Sequence, residues 1–125
     1  MPNLSKVVQD IEGFGSDGIT IHPRPDERHI RYSDAIELSK IVKSELNIEG
    51  NPIENFMQLV LKINPTQVTL VPDGVNNITS NSGWDTIKYS DFLYKKIKEL
   101  KSNGIRTSIF GFFSFRITSS AYFTS

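Results

Sequence analysis

The stretch from Asp17 to Ile30, reading DGITIHPRPDERHI, concentrates the residues of this chain that could do chemistry. Both histidines, His22 and His29, fall there, together with Arg24, Asp26, Glu27 and Arg28. A β-branched run, Ile19-Thr20-Ile21, delivers His22 to a strand end, and a proline-punctuated charged loop follows it. Imidazole titrates close to neutral pH and can act as acid or base. Guanidinium forks match phosphate oxygens. Histidines beside arginines therefore suit proton transfer on an anionic substrate, and α/β enzymes present such groups at the carboxyl edge of the sheet.

Later strand ends add to this set. Glu49 ends a second short strand, Asp73 follows a third, and Thr79 lies in the loop after it. Each has a structural reading as well. A strand-end histidine can serve as a hydrogen-bonded structural residue, and Glu49 can favour the dipole of the next helix. Asp73-Gly74 can be a plain turn, Thr79 or Ser80 a local cap, and Glu27 with Arg28 a solvated pair. Convergence favours the functional reading: His22 and Glu49 stand on successive strands, with Arg24 and His29 in one loop. His22, His29 and Glu49 would also make a two-histidine, one-carboxylate metal set. Their spacing matches no metal motif and the adjacent arginines repel a cation, so no metal is expected.

These residues need elements to hold them. Leu4, Val7, Val8 and Ile11 recur at helical spacing and predict an amphipathic first helix facing inward along that stripe. A strand is expected over about 18–22. A second helix is expected over roughly 33–45, with Ala35, Leu38, Ile41 and Val42 inward. Leu46 to Glu49 reads as a strand. Asn51-Pro52-Ile53-Glu54 reads as an N-cap, a proline in the first turn and a reciprocal carboxylate. The helix it opens should bury Phe56, Leu59, Val60 and Ile63 and stop before Pro65. Strands at 67–71 and 106–110 flank a polar loop, 72–83, and a long helix closed by Gly104.

The order is α-β-α-β-α-β-α-β, and strict alternation favours a parallel sheet with outer helices. An open doubly wound sheet and a (β/α)₈ barrel share this pattern. No G-x-G-x-x-G follows a strand, which weakens a dinucleotide-binding reading. A complete barrel takes about 250 residues, so four strands in 125 residues read as a partial TIM barrel.

Composition narrows the partners. Lys plus Arg and Asp plus Glu each number 14, for a formal net charge of zero, so no global field attracts nucleic acid or an anionic membrane. No cysteine is present, which excludes disulfides and thiolate chemistry and fits a reducing cytoplasm. No apolar run approaches the roughly 20 residues of a membrane span, and no signal-peptide pattern opens the chain. A cytoplasmic location is the expectation.

Three blocks, GSDGITIHPRPDERHI, LNIEGNP and PTQVTLVPDGVNNITSNSGWDT, closely resemble the pyridoxine 5′-phosphate synthase family, in its Bacteroidetes-type version. The resemblance runs from about Pro2 to Phe110. It implies a (β/α)₈ homo-oligomeric enzyme of vitamin B6 biosynthesis that needs no redox cofactor and no metal. The implied reaction condenses 1-deoxy-D-xylulose 5-phosphate with 3-amino-2-oxopropyl phosphate and releases phosphate and water. By the same resemblance His22 and Glu49 are acid/base residues. Arg24 and His29 hold the deoxyxylulose phosphate, and Thr79 contacts the amino-ketone phosphate.

The departures set further expectations. The family begins with another strand, carrying an Asn and an Asp, and continues past Phe110 with a further glutamate, a third histidine and glycine-rich phosphate loops. Here GFFSFRITSSAYFTS follows Phe110, with five of the eight phenylalanines from Phe110 onward. Residues 1–110 are expected to form a partial synthase domain truncated at both ends. Residues 111–125 are expected to be a non-family tail, read either as a short strand or as the product of a shifted reading frame. The truncated chain alone is expected to have little activity. The alternative is a non-catalytic module that binds a phosphorylated ligand or assembles with a partner half.

Overall fold

The computed structural model describes residues 3–24, 26, 30–72, 84–85 and 87–110. Eight elements alternate as the sequence predicts: α1 (Leu4–Gly13), β1 (Gly18–Ile21), α2 (Tyr32–Ser39), β2 (Glu45–Gly50), α3 (Glu54–Ile63), β3 (Gln67–Leu70), α4 (Ser90–Ser102) and β4 (Arg106–Ile109). The strands form one sheet in the order β1-β2-β3-β4, and each neighbouring pair is parallel. A doubly wound sheet reverses its strand order at a switch point. This order never reverses.

Helix placement agrees with a partial barrel. Strand side chains alternate between faces, and Ile19, Ile21, Leu46, Ile48, Val68 and Leu70 all point to one of them. They share a single core with Val8 of α1, Ala35 and Leu38 of α2, Phe56 and Val60 of α3, and Leu93 and Leu100 of α4. All four helices therefore cover the same face. The architecture is a singly wound α/β segment, a fragment of a TIM-barrel-like fold.

Four local expectations need correction. The second helix stops at Ser39 rather than near residue 45. The Glu12 carboxylate of α1 accepts the backbone N–H groups of Lys43 and Ser44 at 2.9 and 2.7 Å and the Ser44 hydroxyl at 2.5 Å. Those bonds commit the backbone at 43–44 to α1 instead of a further helical turn. Ile41 and Val42 still pack partly buried against the core.

Asn51 does not cap α3. Ile53 is the N-cap residue and makes no side-chain cap bond, while the Asn51 amide donates to the Val71 carbonyl at 3.1 Å. A bond to the neighbouring strand end outcompetes a local cap here. Ile63 is half-buried, and Asn64 in the left-handed conformation (φ 56°) closes the helix by donating its N–H to Val60. On α1 only Val8 is fully buried, whereas Val7 and Ile11 are more than 40% exposed. Gly104, at φ 79°, closes α4 as its position predicts.

Candidate active site

His22 directly follows β1. Ile21 is paired with Ile48, so His22 and Glu49 occupy the next step on adjacent parallel strands. Adjacent strands lie roughly 4.8 Å apart. By the two-residue repeat both belong to the face opposite the helices. His22 is exposed and Glu49 half-buried. The register thus sets His22 and Glu49 one step beyond the Ile21–Ile48 pair, at the carboxyl edge of the sheet.

Packing on the opposite face fixes this edge. Pro23 and Pro52, one after each strand, are fully buried. Gly50 sits against the ring of Phe56, and any Cβ at position 50 would overlap that ring. The Gly50 carbonyl accepts the Val71 N–H at 2.9 Å, and Asn51 grips Val71 from its other side. Glu49 is thus held by a backbone that has little freedom to shift.

Below the edge, the helix-free face carries a continuous hydrogen-bonded net. Asn47 donates to the Thr20 hydroxyl at 3.3 Å and accepts from Thr69 at 3.0 Å. The Thr69 and Ser108 hydroxyls lie 2.9 Å apart, and the Gln67 amide donates to both at 3.3 Å. Arg106 donates to Gln67 at 2.8 Å and to the Glu45 carboxylate at 2.7 Å. Glu49, Thr69 and Ser108 are consecutive partners in register across three strands. Sequence reasoning passed over Asn47, Gln67, Thr69, Ser108 and Arg106. The signal was the polar half of the alternation in ELNIE, QVTL and RTSI.

Arg24 lies just past His22, with its guanidinium on Asp26. Nη2 donates at 3.0 Å, and Nε lies 3.2 and 3.3 Å from the two carboxylate oxygens. The bonds to Asp26, and then its charge, hold the Arg24 pKa above its ordinary value. Arg24 is half-exposed and remains a full cation at the site rim. His29 and Thr79 lie outside the described residues, as do Glu27, Arg28, Asp73 and Ser80. The His22–His29–Glu49 metal set therefore falls partly outside them. Among the described residues, no cluster of three His, Cys, Asp or Glu side chains could hold a metal ion.

Trp84, of the TSNSGWDT block, packs into the core beside β3. It is 1% exposed, and its indole N–H donates to the Leu70 carbonyl at 2.9 Å. Tyr89 meets it edge-on, with ring centroids 5.7 Å apart. The tryptophan of the TSNSGWDT block thus bonds to the end of β3.

Comparison with known proteins closes the question of kinship. The family model described as pyridoxal phosphate biosynthesis protein PdxJ matches residues 1–112. The chain belongs to the PdxJ family. It is 60% identical over 110 residues to a pyridoxine 5′-phosphate synthase of Christiangramia forsetii and 62% identical over 110 residues to one of Flavobacterium johnsoniae. A Bacteroides fragilis synthase is 57% identical over 110 residues. Each alignment covers 88% of this chain and 46% of the relative, so the chain spans about half the length of the curated PdxJ relatives it matches. The three blocks behind the resemblance all lie within the matched residues. No helix among the described residues is long and apolar enough to cross a membrane.

Proposed function

We propose that this chain carries the His22–Glu49 half of a pyridoxine 5′-phosphate synthase active site. The reaction is the condensation of 1-deoxy-D-xylulose 5-phosphate with 3-amino-2-oxopropyl phosphate to pyridoxine 5′-phosphate, with release of phosphate and water. The observation that carries this reading is the adjacent placement of His22 and Glu49 on one face of the sheet edge, in a PdxJ-family chain. Imine formation, dehydration and ring closure each move protons, and a neighbouring imidazole and carboxylate can exchange them. Arg24 and His29 hold the deoxyxylulose phosphate, the Arg24 guanidinium as a cation, and Thr79 contacts the amino-ketone phosphate. In this reading the enzyme uses no cofactor and no metal, works in the cytoplasm and assembles as a homo-oligomer.

Residues 1–110 form the synthase part, and residues 111–125 depart from the family pattern through a shifted reading frame. Resequencing the DNA from the Arg106 codon tests the latter: a one-base correction restoring a Val-Asp or Ile-Asp continuation supports it.

A chimera tests the activity. The segment of the Flavobacterium johnsoniae synthase that aligns with residues 1–110 is replaced by those residues. Turnover is expected to survive, and His22→Ala or Glu49→Gln within the chimera to lower kcat by about 10²–10⁴-fold. Full turnover in both variants would overturn the assignment. The 125 residues alone are expected to turn over far more slowly than the chimera, because residues that act as a unit fail together. The half-length match favours one rival, a module that binds phosphorylated ligands without turnover. Tight binding of 1-deoxy-D-xylulose 5-phosphate by an inactive chimera would favour that rival.

A further inference from the structure

The hydrogen-bonded net on the helix-free face has a direction that starts at Arg106. A guanidinium offers only donors. The Gln67 amide therefore turns its oxygen to Arg106 at 2.8 Å and its N–H groups to Thr69 and Ser108, both at 3.3 Å. A hydroxyl has one proton to give and two lone pairs to fill. Thr69 gives its proton to the Asn47 side-chain oxygen at 3.0 Å and accepts from Gln67. Ser108, 2.9 Å away, is then the donor to the second lone pair. Asn47 in turn donates to the Thr20 hydroxyl at 3.3 Å, which fixes the end of its amide that meets Thr69. The Thr69 hydroxyl is saturated by these bonds.

The Cα partner of Thr69 on β2 is Glu49, not Asn47. Both side chains belong to the helix-free face, on strands roughly 4.8 Å apart. A carboxylate is a stronger acceptor than an amide oxygen, yet the Thr69 proton runs diagonally to Asn47. β2 pairs with a described strand on each side, so Asn47 and its two partners all lie within the sheet.

We propose that Asn47 is a positioning residue for Glu49: by holding the Thr69 hydroxyl, it keeps that donor off the Glu49 carboxylate. The inference rests on the synthase reading for the role of Glu49 and adds the residue that preserves its basicity. A hydrogen bond donated to a carboxylate favours the charged form and so weakens it as a base. With Thr69 held away, Glu49 stays free to take a proton from substrate. Among the described residues, the other charged or titratable groups of this face are His22 on β1, Glu45 on β2 and Arg106 on β4. β3 contributes none. Glu45 and Arg106 open their strands and pair with each other at 2.7 Å. Arg24 and Asp26 pair at the rim. None of these groups is removed when Asn47 or Thr69 is replaced.

Carboxyl-detected carbon NMR of the chimera with the Flavobacterium johnsoniae synthase tests this. The Glu49 resonance is assigned by its loss in Glu49→Gln. Asn47→Leu keeps the size of the side chain and removes the acceptor. The Thr69 proton then passes to Glu49, and the Glu49 titration midpoint is expected to fall by about one pH unit. A weaker base should also lower kcat by about 3–10-fold, with KM little moved. Asn47→Leu combined with Thr69→Val removes the hydroxyl as well and is expected to restore the parent midpoint. Thr69→Val alone should leave the midpoint in place, because that hydroxyl does not serve Glu49 in the parent. Should Asn47→Leu not fold, Asn47→Val gives the same reading. An unmoved midpoint in the position-47 variant, a shift that persists without the Thr69 hydroxyl, or a rise in Thr69→Val alone would each overturn the proposal. Full turnover in Glu49→Gln beside the expected titration shift would instead overturn the catalytic role of Glu49 while upholding the part played by Asn47.

Discussion

The two faces of this sheet are built from the same strands, one residue out of step, and do opposite things. On the helix side, Ile48, Val68 and Leu70 are completely buried among Phe56, Val60 and Leu100. Their contribution depends on volume and exclusion of water, and it is not directional. On the other side, Asn47, Gln67, Thr69, Ser108 and Arg106 hold one another by hydrogen bonds. Among the described residues no buried side-chain polar atom lacks a partner. The apolar face fixes where the strands lie, and the polar face fixes what their carboxyl ends present. His22 and Glu49 belong to the second face and depend on the first.

Truncation on the helix side should have the largest effect. Ile48→Ala, directly before Glu49, is expected to cost about 2–5 kcal/mol of unfolding free energy, read from urea denaturation. Gly50→Val should be as damaging by the opposite route, because its side chain must displace the Phe56 ring. A cost below about 1 kcal/mol in both would mean that this face does not hold the strands in place.

The polar face should respond less, and to directionality instead of volume. Thr69→Val keeps the shape but leaves Asn47 and Ser108 each without one partner. A loss of about 1–3 kcal/mol is expected. Adding Ser108→Ala should cost less than the sum of the single losses, since the two hydroxyls share one bond. Strict additivity would dissolve the net into independent contacts and blur the contrast between the faces. Trp84→Phe keeps an aromatic ring in the core but removes the bond to Leu70 and part of the buried volume. It should cost about 1–3 kcal/mol.

How much of this was legible beforehand follows the same division. The apolar periodicities of VVQDI, NFMQLV and the strand runs predict all eight elements in order, because burial repeats with a fixed period. The alternation alone left a doubly wound sheet and a barrel segment open; chain length and the family resemblance favoured the barrel segment, and the unreversed strand order agrees with it. The placement of His22 and Glu49 at the ends of adjacent strands was legible, because each directly follows or closes a short β-branched or apolar run. The net beneath them was not singled out. Asn, Gln, Thr and Ser on a strand read as solvated until the register shows that they face one another. The errors at Ser39 and Asn51 share a cause: a side chain bonded to a distant backbone group overrode a local signal.

One of those long-range bonds makes the smallest and most conditional prediction. Glu12 joins α1 to the start of β2 through the Ser44 hydroxyl and two backbone N–H groups. These bonds, the Ser44 hydroxyl first, hold its pKa below the ordinary 4.5. A carboxylate whose pKa falls on folding binds protons more readily in the unfolded chain. Its stabilisation is therefore complete above about pH 4.5 and is lost as pH falls through the lower folded value. Glu12→Gln keeps the shape but removes this titration. The variant should be less stable than the parent at neutral pH, and the difference should shrink as acid protonates Glu12 in the parent. Urea midpoints measured from pH 7 to pH 3 read this directly. A gap that stays constant over that range would mean that Glu12 ties α1 down by shape alone, with its charge contributing nothing to the joint.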